Sequence, residues 1–182
     1  MKVTEHSITD ANYFDYMKNI NKSINQRIGE PNFKISTSLD DFDDRSAQWK
    51  TFVAKEKDTM GVMTIKEFDY QDMREWIYFE SGYQVVNKRR SPIDFDEMIE
   101  HEPFSADTRS SAFVTQIEAY ERRQGVGRKL IDVIKERHDY ILLRSTLLAE
   151  PFYEELGFNR TKFNCKSQTI TRPFFYWRKE WT

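Results

Sequence analysis

The chain has 182 residues with 28 basic and 30 acidic side chains, and its net charge of −2 gives no overall field that would attract nucleic acid or an anionic membrane. Its 14 Phe, 9 Tyr and 4 Trp residues supply bulky material for a folded core, and the length is typical of one domain. The single cysteine excludes an internal disulfide, and three scattered histidines predict no metal site.

The first third of the chain reads as a strand, a helix and a hairpin. KVTEHSI alternates polar and apolar residues and predicts an opening strand, after which Thr9 or Asp10 caps a helix. Two apolar-rich runs then flank the charged turn KEKDTMG and predict an antiparallel hairpin. No segment approaches the roughly 20 apolar residues that cross a bilayer, so we expect a soluble, cytoplasmic protein without a membrane partner.

The second half becomes regular again after an insertion of uncertain form at about 69–110, within a predicted single domain spanning 1–182. SAFVTQIEA predicts a strand, GVGRKLIDVIKERH a helix and YILLRST a strand. EPFYEEL predicts a helix that ends at Gly157, and GFNRTKF and PFFYWRKEW predict the last strands.

The glycine pair in ERRQGVGRKLIDVI is the strongest local signal in the chain. Offsets of 0, 4, 7 and 8 place four apolar residues on one helix face, namely Val126, Leu130, Val133 and Ile134. Packing through that face fixes the helix axis and therefore the end that carries unpaired amides. Gly125 and Gly127 leave room for a phosphate at those amides, and four basic residues add positive charge, namely Arg122, Arg123, Arg128 and Lys129. The pattern predicts a pyrophosphate cradle.

Two other phosphate-binding motifs do not fit these residues. A P-loop requires a hydroxyl residue after its lysine, and RRQGVGRKL has none. A Rossmann fingerprint requires three glycines, and only two are present. A simple tight turn from strand to helix remains the alternative to an anion site.

A second motif downstream changes the interpretation. Arg122, Gly125 and Gly127 match the pattern Arg-x-x-Gly-x-Gly. One helix and one strand later, AEPFYEELGF matches the pattern Ala-x-x-Phe-Tyr-x-x-x-Gly-Phe, through Ala149, Phe152, Tyr153, Gly157 and Phe158. Together these motifs resemble the GNAT superfamily of acyl-CoA-dependent N-acyltransferases, and the resemblance covers mainly Ser111 to Arg160.

The resemblance implies an α/β fold of the α+β type, with a mixed, mostly antiparallel central sheet flanked by helices. In such a fold the cofactor's pantetheine arm lies where the sheet splays between its fourth and fifth strands. Backbone groups near Ile117 and Ala119 would pair with pantetheine amides, and the amides from Arg123 to Arg128 would meet the phosphates. This implies a cofactor-binding set of Ile117, Ala119, Arg122, Arg123, Gln124, Gly125, Val126, Gly127, Arg128 and Thr146. Thr146 stands where many relatives carry asparagine.

The resemblance also implies the catalytic groups. Tyr153 matches the tyrosine that often protonates the departing CoA thiolate, although a Tyr beside a Phe on a short helix is also a common core residue. Glu118 is the best-placed general base, since the strand end faces the cleft, whereas Glu80, His101 and Glu102 lie in the insertion. Direct transfer to an amine requires no cysteine nucleophile, so Cys165 is expected to be a structural residue of a late strand.

Two functions follow as hypotheses. The favoured one is an N-acetyltransferase that moves an acetyl group from acetyl-CoA to a primary amine of a small molecule, protein or peptide, without a metal or nucleic acid. The alternative is a non-catalytic acyl-CoA-binding module of the same fold. The acidic run LDDFDD could attract a cationic acceptor or simply be solvated, and the aromatic tail FFYWRKEW could support a homodimer.

Overall fold

The computed structural model describes residues 1–29, 35, 48–68, 84–86, 89–91, 110–120, 124–166 and 171–179. The chain forms two compact units: Met1–Glu67 with Val114–Glu136, and Phe68–Phe113 with Arg137–Thr182. The predicted single-domain organisation stays a prediction. Most of the predicted insertion lies outside the described residues, which include there a short antiparallel pair of β4 (Gln84–Val86) and β5 (Arg89–Ser91).

The first unit contains the predicted opening strand, helix and hairpin. Strand β1 (Lys2–Ser7) pairs antiparallel with β2 (Trp49–Lys55), which pairs antiparallel with β3 (Thr59–Phe68). Strand β6 (Ser111–Ala119), most of which belongs to this unit, is the next neighbour of β3. The side chains of β2 and β3 are buried at nearly every position because both faces of these strands are covered.

Helix α1 (Tyr13–Ile28) starts later than the sequence predicts, and the predicted cap at Thr9 or Asp10 is wrong. The Asp10 carboxylate instead accepts a hydrogen bond from the Ser7 backbone N–H at 2.9 Å. The N-cap is Asn12, which makes no side-chain capping bond. The buried stripe of α1 follows the predicted spacing and consists of Tyr13, Met17, Ile20 and Ile24.

Helix α2 (Val126–Lys135) follows β6 and is one turn shorter than the predicted span. Its buried residues are Val126, Leu130, Ile131 and Ile134, each at most 1% exposed. The predicted inward position of Val133 is therefore wrong, since its side chain is only half-buried. At about 100° per residue, offsets of 0, 4, 5 and 8 span about 140° of the helix surface, with Leu130 and Ile134 near the centre of the stripe and Val126 and Ile131 at its edges.

The second unit carries the other predicted strands and the short helix. Strand β7 (Tyr140–Arg144) pairs antiparallel with β9 (Thr171–Arg178), which also pairs antiparallel with β8 (Asn159–Lys166). A 3₁₀ turn (Leu147–Ala149) leads into α3 (Glu150–Glu155), and Gly157 follows with a φ of 76°. Cys165 lies on β8, the late strand predicted for it. None of the described helices is both long and apolar enough to cross a membrane.

Candidate functional site

Strand β6 is buried at its start and becomes more exposed to solvent towards its end. Ala112, Phe113 and Val114 are buried, whereas Thr115 and Ala119 are exposed and the residues between them are half-buried. The strand end is held in place because the Tyr120 N–H donates to the Met60 carbonyl at 2.8 Å. The predicted residues Ile117, Glu118 and Ala119 therefore lie on an ordered strand end that solvent reaches, as a ligand-binding segment requires.

The start of α2 has the backbone geometry of an anion site. Gly125 is the N-cap and adopts the left-handed conformation, with φ 68° and ψ 11°. Its carbonyl accepts the first described intrahelical bond, from the Lys129 N–H at 2.9 Å. In an α-helix the amides of the first turn precede the first intrahelical bond and point out of the helix end.

The electrostatics of this helix end favour a negative ligand. Its first turn contains no acidic residue, while Arg128 and Lys129 are exposed beside it. These charges add to the positive end of the helix dipole. The structure brings together five predicted cofactor residues here: Gln124, Gly125, Val126, Gly127 and Arg128. The predicted Arg122 and Arg123 lie outside the described residues.

Gly125, the first glycine of the Arg-x-x-Gly-x-Gly motif, leaves space for a ligand. Among the described residues other than its chain neighbours, no atom lies within 4 Å of a Cβ atom added at Gly125. A phosphate approaching the amides from this side would therefore meet no side chain among the described residues, and the donor set of backbone N–H groups suits its oxygens.

Tyr153 lies in the second unit, and its aromatic ring packs in the hydrophobic core. It is 5% exposed, and its ring centroid lies 5.8 Å from that of Phe158 and 6.1 Å from that of Phe175. Burial raises the pKa of its phenol to about 12. The hydroxyl therefore stays protonated at neutral pH, as a hydrogen-bond donor must.

Thr146, also in the second unit, has an organising role through its backbone. Its carbonyl accepts hydrogen bonds from the Ser145 hydroxyl at 2.8 Å and from the Ala149 N–H at 2.9 Å. Its exposed side chain caps nothing at the 3₁₀ turn. Glu80, His101 and Glu102, the other base candidates, lie outside the described residues.

Tyr120 is a candidate residue that belongs to neither sequence motif. Its hydroxyl is buried and has no hydrogen-bond partner within the described part of the chain. Burial raises its pKa strongly, Glu118 raises it further, and Arg27 opposes the shift. Gln116, Glu118 and Tyr120 alternate along the chain, so they share one face at the end of β6. That alternation was a signal that the sequence offered.

Known proteins resemble this chain in one segment of its sequence and in its fold. Residues 107–172 match the family model described as an acetyltransferase (GNAT) domain. The resemblance to the GNAT superfamily is confirmed. This match covers 66 of the 182 residues and supports an acyltransferase. A search of curated proteins by sequence finds no match.

Solved structures with this fold are distant in sequence. A Corynebacterium glutamicum protein described as histone acetyltransferase HPA2 and related acetyltransferase is 14% identical, with a TM-score of 0.56 over 100% of this chain and 99% of the other. An acyl-CoA N-acyltransferase from Pseudomonas aeruginosa is 9% identical, with a TM-score of 0.55 over 96% and 97%. The NatC complex bound to Gag peptide and CoA is 14% identical, with a TM-score of 0.50 over 99% of this chain and 100% of the other. These likenesses confirm the predicted fold class.

The raised pKa of Tyr153 predicts an alkaline effect on stability. Between pH 10 and about 12 a tyrosine in the unfolded chain loses its proton, whereas the buried phenol keeps it. The stabilisation that the buried Tyr153 phenol provides is therefore complete below pH 10. The free energy of unfolding falls as the pH rises from 10 to about 12. Urea unfolding of Tyr153→Phe at several pH values should show a shallower fall than the parent protein. Equal slopes above pH 10 would contradict the burial effect.

Proposed function

We propose that this protein is an N-acetyltransferase that transfers an acetyl group from acetyl-CoA to a primary amine of a small molecule, protein or peptide. The start of α2 carries the proposal, since outward amides, a left-handed Gly125 and a first turn without acidic residues suit a pyrophosphate. The bound CoA in the similarly folded NatC complex is consistent with a CoA donor. Cytoplasmic location, absence of a metal and a homodimer through the aromatic last strand are further parts of this hypothesis.

The residues available for the donor fall into two groups. Amides from Gln124 to Arg128 would hold the phosphates, with Arg122 and Arg123 adding charge. Backbone groups of Ile117 and Ala119 would pair with the pantetheine amides, and the Thr146 hydroxyl would add a contact. The donor supplies the acyl group as a thioester, and the protein supplies alignment, which contributes strongly to the rates of two-substrate reactions.

Two side chains, Glu118 and Tyr153, would handle the protons of the reaction. Their roles in one active site are proposed from the sequence resemblance. Glu118 would accept the proton that the amine loses as its nitrogen bonds to the acyl carbon and the carbon–sulfur bond breaks. Tyr153 would donate a hydrogen bond to the departing sulfur. With a pKa of about 12, its phenol is about 3.5 units less acidic than a thiol near 8.5, so complete transfer would be uphill by about 5 kcal/mol. Hydrogen-bond donation is therefore the role we assign.

Binding of acetyl-CoA is the first experimental test, with Gly125 as the probe. Gly125→Val should lower acetyl-CoA affinity at least about tenfold in a calorimetric titration, because a β-branched residue disfavours positive φ and fills the open approach to the amides. Gly125→Asn is the matched control, since asparagine tolerates the left-handed conformation better, and it should lose less affinity. Equal affinity of Gly125→Val and the parent protein, or no acetyl-CoA binding by the parent, would contradict the cradle.

Turnover distinguishes an enzyme from a non-catalytic acyl-CoA-binding module. Tyr153→Phe should lower the rate of thiol release with an amine acceptor by about 100-fold, a typical loss when one hydrogen-bond donor to a developing negative charge is removed. Its acetyl-CoA affinity should stay within about twofold, since the ring and its packing are kept. Tyr176→Phe, which removes a hydroxyl from another tyrosine of the second unit, is the control and should keep full turnover. An unchanged rate in Tyr153→Phe would remove its assigned role, and binding without turnover of any amine would favour the module.

A further inference from the structure

Gly61 in β3 lies where three of the predicted site residues meet. A Cβ atom at this position would lie 2.6 Å from Val126 Cγ1, 2.8 Å from the Glu118 carbonyl oxygen and 3.4 Å from Ala119 Cα. Ordinary contacts between carbon atoms lie at about 3.5–4.0 Å. Only a hydrogen atom therefore fits between β3, the end of β6 and the start of α2.

The neighbours of Gly61 have little freedom to yield. Val126 is 1% exposed, and a valine in a helix strongly prefers one rotamer, so its methyl group cannot easily turn away. The contacts to Glu118 and Ala119 involve backbone atoms. The Tyr120 N–H bond to the Met60 carbonyl ties the end of β6 to the residue that precedes Gly61. Any side chain at position 61 must therefore move the strand end or the helix start by roughly 1 Å to restore ordinary contact.

We propose that Gly61 is a positioning residue that sets the spacing between the strand segment 117–119 and the amides at the start of α2. The inference rests on the proposed function, in which one acyl-CoA molecule contacts both parts. The chain between the two parts runs through residues 120–125, but in space both parts are in contact with Gly61. The glycine thus fixes the distance that the pantetheine and phosphate groups of a single ligand must bridge.

If Gly61 sets this spacing, a substitution there should affect a long ligand and a short ligand differently. S-acetylpantetheine lacks the phosphates and requires only the strand segment, whereas acetyl-CoA requires both parts at the correct spacing. A change in spacing should therefore weaken acetyl-CoA and leave S-acetylpantetheine nearly unaffected. A general loss of folding would weaken both ligands by the same factor.

The test compares the two ligands in Gly61→Ala and in a glycine control. Ligand titrations followed by NMR would give the ratio of the dissociation constants of S-acetylpantetheine and acetyl-CoA. Gly61→Ala should lower this ratio by about tenfold or more, since the loss of one hydrogen bond to a charged phosphate costs about tenfold or more in affinity. Gly29→Ala is the control, because Gly29 has a φ of 78° and, in the described part of the chain beyond its direct neighbours, no atom lies within 4 Å of its added Cβ. It strains the backbone at the end of α1 and should keep the ratio of the parent protein.

A second variant tests the proposal if Gly61→Ala alone does not fold. Gly61→Ala with Val126→Ala removes the tightest contact, yet the 2.8 Å approach to the Glu118 carbonyl remains. Its ratio should still lie below that of Val126→Ala alone. An unchanged ratio, or equal weakening of both ligands, would overturn the role of Gly61 and leave the proposed function intact. No acetyl-CoA binding by the parent protein would overturn the proposed function and the role of Gly61 with it.

Discussion

Burial of one apolar stripe fixes the direction in which the cradle amides point. Val126, Leu130, Ile131 and Ile134 are each at most 1% exposed, and burial of such a side chain stabilises by about 1.5–3 kcal/mol. The helix cannot rotate about its axis without exposing part of this stripe. Its amide-bearing end therefore keeps one orientation, and the anion site needs little reorganisation when a ligand arrives.

Local periodicity made most of the secondary structure of the described residues predictable. The buried stripe of α1 and the β2–β3 hairpin follow from spacing and turn residues alone. The start of α1 was wrong because Asp10, a good capping residue, binds the Ser7 backbone instead. The inward placement of Val133 was wrong because Ile131 and Val133 are both apolar and lie on opposite sides of the stripe that Leu130 and Ile134 centre, so that only packing decides which of them is buried.

The candidate site was predictable where its signal is local. Gly125 and the residues that follow it form a helix start whose chemistry can be read from consecutive letters. Gly61 gave no such signal, since its close contacts are to Glu118, Ala119 and Val126, more than 50 residues away in the chain. Tyr120 was not predictable, because a tyrosine beside a strand is usually a core residue and only the three-dimensional structure shows that its hydroxyl has no hydrogen-bond partner among the described residues.

The most direct measurement is the response of individual backbone amides to acetyl-CoA in a two-dimensional NMR spectrum of the labelled protein. If the start of α2 binds the phosphates, the N–H signals of Val126, Gly127 and Arg128 should shift strongly with acetyl-CoA and only slightly with S-acetylpantetheine, because charge-assisted hydrogen bonds form only with the phosphates. Shifts of the same size with both ligands, or shifts that leave these three amides unchanged, would contradict a phosphate cradle at this helix.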